Sequence, residues 1–192
     1  MKTDRALQLI YFGRINPTKN IDVIIMTLKC LLDAHIPAQL SLIGGCSIEY
    51  QLYLEEVVKE SLIPENLVSF EGYQAMDYII KSLSKAHYFI FPSQEPKEGH
   101  SNSMTEAMSM GVVPIVSNVG FNASICGKPE LVVTEINPCA FAKRIIAIEK
   151  SGLWKEYSKF VYHRFLDNYT EIKAIEHLME AAKIMGLKVR FP

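Results

Sequence analysis

The chain has 192 residues, enough for one well-buried domain, and 49% of them are hydrophobic, which excludes a disordered polypeptide. Twenty Lys plus Arg stand against 21 Asp plus Glu, so there is neither a global basic field for nucleic acid nor an acidic tail. No apolar run reaches the roughly eighteen residues needed to cross a bilayer.

The opening Met1-Lys-Thr-Asp-Arg-Ala6 has no signal-peptide core, so a cytosolic protein is expected. Residues 7–12, Leu-Gln-Leu-Ile-Tyr-Phe, form an apolar run stopped by Gly13, which predicts a strand inside a sheet. Arg14 follows at once. A polar turn then leads into a predicted helix over residues 19–34, whose Ile21, Ile24, Ile25, Leu28 and Leu32 share one face. Lys19 in the first turn opposes the helix dipole by about 0.3–1 kcal/mol, a penalty that a bound anion reverses. Arg14 and Lys19 together suit a diphosphate, the first as a planar fork and the second as a mobile point charge. Two exposed surface cations are the plainer reading of such a pair.

Residues 39–43 predict a second strand stopped by Gly44-Gly45, and residues 48–62 a helix ended by Pro64. A third strand over 67–70 closes at Glu71-Gly72-Tyr73, and a helix over 76–86 follows. Residues 87–91 are the fourth strand, 112–116 the fifth and 131–133 a short sixth; Pro114 points to a less hydrogen-bonded place in the fifth. This alternation predicts an α/β fold: a Rossmann-like open, mainly parallel sheet of about six strands with helices on both faces. Past Asn137-Pro138 the pattern is helical throughout, over 140–148, 153–165 and 172–185. Trp154, Tyr157, Phe160, Val161 and Phe165 make an aromatic seam of core.

Between the fourth strand and a helix carrying Met104, Ala107 and Met108 lies Glu98-Gly-His-Ser-Asn-Ser-Met-Thr-Glu106. In an open α/β sheet, ligands bind beyond the carboxyl ends of the strands. An anion there meets free N–H groups and the positive end of the helix dipole. Gly99, Ser101 and Ser103 let a ligand approach the backbone, and Glu98 and Glu106 accept hydrogen bonds from hydroxyls. The implied ligand has phosphates in its middle and hydroxyls at its ends. Plainer readings stand beside this one. Ser103-Met-Thr-Glu106 fits a capping box with Ser103 as N-cap. Glu98 is then a solvated carboxylate and His100 a loop histidine without a partner.

Several chemistries lack their motifs. No G-x-G-x-x-G follows the first strand, and there is no G-x-x-x-x-G-K-[ST], G-x-S-x-G or H-E-x-x-H, which disfavours dinucleotide redox, P-loop, elbow-serine and zinc-protease chemistry. Cys30, Cys46, Cys126 and Cys139 show no C-x-x-C, so reduced thiols, mostly packed away, are expected rather than a zinc site or disulfides.

Gly13-Arg14 with Lys19, then Glu98 and Glu106 with seven residues between, then Ala107-Met108, Gly111, Pro114 and Val119-Gly120, resembles the group 1 (family four) retaining glycosyltransferases of GT-B fold. The resemblance covers essentially all of residues 1–192 as a single domain, the C-terminal, donor-binding half of such an enzyme; the N-terminal acceptor domain is expected to be absent. It implies that Arg14 and Lys19 neutralise the diphosphate of a nucleotide-sugar donor and that Glu98 faces hydroxyls of the donor sugar. Glu106 would bind the ribose. Gly99, His100, Ser101, Asn102 and Ser103 would line sugar and phosphate with their backbone, Gly13 would lie against the phosphates, and Gly72 and Tyr73 would lie near the base. No metal and no cofactor beyond the donor itself is implied. The acceptor would be a saccharide or lipid-linked hydroxyl, with the full-length enzyme cytoplasmic or peripheral at the inner membrane face. Alone, the domain is expected to bind nucleotide and transfer little. This sequence departs from the family in having His100-Ser101 where Phe-Gly is common after Glu-Gly, and Asn20 where Gly commonly follows the lysine. A nucleotide-sugar epimerase half, or a non-catalytic interaction domain of the same fold, is the alternative.

Overall fold

A computed structural model describes residues 6–95 and 98–185. β1 (Leu7–Phe12), β2 (Ala38–Ile43), β3 (Val68–Gly72), β4 (Tyr88–Phe91), β5 (Val113–Ser117) and β6 (Val132–Val133) form one sheet in the order β3-β2-β1-β4-β5-β6, every neighbouring pair parallel. β1 is central because nearly every side chain on it is apolar: Leu7, Leu9, Ile10, Tyr11 and Phe12 are all buried.

Chain order reverses between β1 and β4, and those two strands separate. β1 pairs with β2 over its whole length, whereas it pairs with β4 only at Leu9 with Tyr88 and Ile10 with Phe89. Aromatic rings occupy the region where the two strands lose contact. Tyr11 stacks at 6.1 Å on Phe89 and 6.3 Å on Phe91, and Phe12 meets Phe89 edge-on at 5.5 Å. A crevice at a topological switch point follows from this topology.

α1 (Ile21–Asp33), α2 (Ile48–Glu60), α3 (Met76–Leu83), α4 (Asn102–Ser109) and α5 (Asn122–Cys126) lie between strands, and α6 (Pro138–Ser151), α7 (Trp154–Asn168) and α8 (Glu171–Ile184) follow β6. α1 packs on α6 and α4 on α7. With right-handed crossovers these pairs cover opposite faces of the sheet. Val161 of the aromatic seam is fully buried, and Trp154, Tyr157, Phe160 and Phe165 pack half-buried against the core. No helix among the described residues is long and apolar enough to cross a membrane.

Two expectations change, and the one for Pro114 holds. α5 was not predicted, since its five residues carry no readable period. Pro114 lies inside a strand with neighbours on both sides, but Val113 donates to His87 of the β4 side, which turns the Pro114 nitrogen toward β6, and β6 pairs only with Val116 and Ser117. The missing N–H therefore leaves no ladder bond unmade. The cysteines are not mostly packed away: Cys126 is buried, Cys30 and Cys46 are half-buried, and Cys139 is exposed.

Candidate functional site

The turn after β1 is held by the turn after β2, and that turn in its place by the end of β3. Gly13 donates to the Ile43 carbonyl at 3.0 Å and Ile15 to the Gly45 carbonyl at 3.0 Å, while Gly44 donates to Gly72 at 2.8 Å. A Cβ on Gly44 would stand 1.8 Å from the Gly13 carbonyl oxygen, and its φ of +151° adds strain, so only glycine permits this approach. The ends of β3, β2 and β1 thus form one continuous rim, with Gly72 and an exposed Tyr73 at its far end.

Tyr11, buried in the core, donates its hydroxyl to the Arg14 carbonyl at 2.7 Å. That bond fixes the backbone from which Arg14 projects. Burial, and secondarily the Glu98 charge, pushes the Tyr11 hydroxyl well above its usual range, so it stays a donor. Arg14 itself is exposed, and its guanidinium has no ion pair or hydrogen bond among the described residues.

Lys19 behaves differently. It ends a 3-10 turn (Pro17–Lys19) and is buried, with its ammonium 2.5 Å from the Glu98 carboxylate and 5.3 Å from the centre of the Phe91 ring. The reading of two exposed surface cations therefore holds for Arg14 and fails for Lys19. Glu98 is not a solvated carboxylate either: it also accepts a short hydrogen bond from the Ser93 hydroxyl. Ser93 is fully buried, and its carbonyl accepts from Ser117 at 2.5 Å, which ties the carboxylate to β5.

Asn20 completes the link between the two loops. It adopts the left-handed region with φ 50° and ψ 54°, where glycine is easiest and asparagine is next best. Its side chain donates to the Pro92 carbonyl at 2.8 Å, and Gln94 donates to the Thr18 carbonyl at 3.0 Å. Asparagine in place of glycine thus keeps the backbone turn and adds a bond to the segment following β4.

α4 begins behind this junction, two residues earlier than the capping-box reading predicts. Its N-cap is Ser101, whose hydroxyl accepts from the Met104 N–H at 3.4 Å; Ser103 is already helical. With Ser101 as cap, Glu106 lies beyond the third helical position and cannot close the box. The Glu106 carboxylate, half-buried, has no partner among the described residues. The Ser101 and Ser103 hydroxyls lie 3.2 Å apart. The Asn102 and Ser103 N–H groups remain without a protein acceptor among the described residues. A Cβ added to Gly13 would stand 3.9 Å from the Ser103 hydroxyl, so the first βα turn faces the start of α4 directly.

His100 is exposed but not partnerless: its ring packs 5.3 Å from Tyr169, and Nε2 lies 3.4 Å from the Thr105 hydroxyl. A Cβ added to Gly99 would meet nothing within 4 Å. Beyond Glu98, Gly120 touches the same loop. A Cβ there would lie 2.0 Å from the Glu98 carbonyl oxygen, to which Phe121 donates at 3.4 Å. Tyr11, Ser93 and Gly120 are site-forming residues that sequence reasoning did not single out for that work. Only Gly120 carried a signal, as the glycine one would expect where two loops touch.

The arrangement is a crevice with a cation, the N–H donors at a helix start and a half-buried carboxylate that have no partner among the described residues. Such a site can hold an anion flanked by hydroxyls.

Comparisons with known proteins agree in fold. A glycosyltransferase from Rickettsia africae superposes with a TM-score of 0.80 at 18% identity, over 95% of this chain and 48% of that one. An Anabaena protein solved in complex with UDP and glucose gives 0.77 at 17% identity, over 93% and 48%. The C-terminal domain of a group 1 glycosyl transferase from Francisella tularensis gives 0.74 at 21% identity, over 86% and 87%. The chain therefore spans about half the length of the first two. No curated protein matches it in sequence. The family model for group 1 glycosyl transferases matches residues 2–164, and with most of its length inside that match the chain belongs to this family.

Proposed function

We propose that the chain is the donor-binding domain of a glycosyltransferase that moves a sugar from a nucleoside diphosphate to a hydroxyl acceptor, with retention at the anomeric carbon. The observation that carries this reading is the 2.5 Å contact of Lys19 with Glu98, which brings the first βα turn to the fourth βα junction while Arg14 and Glu106 have no charged partner among the described residues. A ligand lying along the strand ends from β3 to β4 crosses three inter-strand spacings, about 14 Å. That span suits a base near Gly72 and Tyr73, a diphosphate near Gly13 and Arg14, and a sugar near Glu98.

In this reading Arg14 takes the diphosphate first, and Lys19 joins it by sharing its ammonium between Glu98 and a phosphate oxygen. Glu98 then accepts from sugar hydroxyls with its remaining lone pairs, and Glu106 accepts from the ribose. The backbone of Gly99, His100, Ser101, Asn102 and Ser103 supplies the rim, with the N–H groups of Asn102 and Ser103 aimed at negative charge. Charge that develops on the leaving diphosphate meets Arg14 and Lys19 without reorganisation, which is where rate acceleration arises. The acceptor, a saccharide or lipid-linked hydroxyl, would be held by a further domain, and the work would be cytoplasmic.

Calorimetric titration of the chain with UDP, GDP and ADP and with their sugar conjugates tests this. Saturable binding of at least one base is the expected result. No binding of any of them at millimolar concentration would contradict it.

A further inference from the structure

Away from the crevice, two thiols meet toward the far end of α1. Cys30 lies near the end of α1 and Cys139 in the first turn of α6, 109 residues apart, and their sulfurs stand 2.6 Å from one another. A disulfide bond is about 2.05 Å long. The approach is set by the helices and not by side-chain reach alone. α1 and α6 pack along their length, and one turn before Cys30 the Thr27 hydroxyl donates to the Val23 carbonyl at 2.7 Å and to the Pro138 carbonyl at 3.3 Å. Asn137 caps α6 by accepting from Cys139 N–H at 2.9 Å, which fixes the residue on its backbone. Among the described residues no group of three or more His, Cys, Asp or Glu surrounds a common point, so the pair does not belong to a metal cluster there.

We propose that Cys30 and Cys139 form a reversible disulfide when the protein meets a peroxide, stapling α1 to α6. Cys139 is exposed and Cys30 half-buried, so the oxidant reaches Cys139 first. The Cys139 sulfur attacks one peroxide oxygen and the O–O bond breaks, leaving a sulfenic acid and one water. The Cys30 sulfur then attacks the Cys139 sulfur, the S–O bond breaks, and the departing hydroxide takes the Cys30 proton as a second water. Two thiols and one hydrogen peroxide give one disulfide and two waters. Burial, and then the neighbouring Cys139 sulfur, pushes the Cys30 thiol up to about 12, so closure speeds up with rising pH. A dithiol reductant reverses it by exchange.

The proposal is independent of what the crevice binds. It is tested by treating the purified chain with hydrogen peroxide and counting thiols after denaturation, with peptide mass mapping. Loss of two of the four thiols, a linked peptide pair containing Cys30 and Cys139, and full recovery with dithiothreitol are expected. Oxidation should raise Tm by about 5–15 °C. Cys30→Ser should instead leave a Cys139 sulfenic acid that a carbon nucleophile traps, with no rise in Tm. Four thiols still titrating, a link through Cys46 or Cys126, or a link between chains would overturn it.

Discussion

The Lys19 ammonium meets the Glu98 carboxylate at 2.5 Å across 79 residues of sequence, with the two side chains only 10% and 11% exposed. Each charge is buried only because the other is there. Removing one partner strands the other, which costs about 3–5 kcal/mol, whereas replacing both with uncharged groups of similar size is far milder. Lys19→Ala should therefore lower urea stability by about 3–5 kcal/mol. Lys19→Met with Glu98→Gln should recover much of that loss. If Lys19→Ala unfolds at the wild-type midpoint, the pair is not buried in solution.

Gly120 should resist substitution in the same assay. Its φ of +54° and the 2.0 Å approach of a Cβ to the Glu98 carbonyl combine, so Gly120→Ala should cost about 2–4 kcal/mol. Gly45→Ala is the control. A Cβ there meets nothing within 4 Å, and a change within about 0.5 kcal/mol is expected. Equal costs at the two positions would remove the steric explanation.

Alkaline pH should destabilise the fold. Burial pushes the wholly buried Cys126 thiol up to about 12 from 9.0, with Arg164 opposing weakly. A group whose folded value is raised holds its proton more tightly when folded. Its contribution is complete below the unfolded value and is lost as pH rises through the folded one. Stability should stay level to about pH 8 and then fall by up to about 1.4 kcal/mol per pH unit for this group. Tyr50, also pushed up to about 12 by burial, adds to the slope. Unfolding midpoints between pH 8 and 11 measure it, and Cys126→Ala should flatten the curve. A slope unchanged in that variant would assign the loss elsewhere.

Arg14 differs from Lys19 in that its charge is exposed and unpaired among the described residues, so its removal should leave stability within about 0.5 kcal/mol of wild type. Nucleoside diphosphate binding should weaken by about 1.5–3 kcal/mol in Arg14→Ala, the range for a charge-assisted contact. Calorimetry and thermal unfolding on the same sample separate the two. Unchanged affinity would remove Arg14 from the diphosphate clamp.

The fold was largely legible because its signals are local. β1 was read with its observed bounds, since an apolar run stopped by Gly13 has few other uses, and among the described residues all six strands and seven of the eight α-helices followed from periodicity and turn residues. α5 was not legible because five residues cannot show a helical repeat. The start of α4 was misread because Ser101 and Ser103 are equally good caps. Beginning at Ser101 takes Asn102 and Ser103 into the helix and places the cap at the buried serine of the two, a tertiary reason invisible in a tetrapeptide. The contacts that shape the crevice are long-range. That Lys19 turns inward to Glu98, with Ser93 behind it, depends on where β1 and β4 stop pairing.

The claim that a single ligand meets cations at its diphosphate and a carboxylate at its ribose is tested most directly by ribose discrimination. The affinity of the preferred nucleoside diphosphate and of its 2′,3′-dideoxy analogue would be measured for wild type and for Glu106→Ala. The account predicts that wild type prefers the ribose form by about tenfold or more, the worth of a charged hydrogen bond, and that Glu106→Ala binds both forms alike. A preference of the same size in both proteins, or none in wild type, would contradict it.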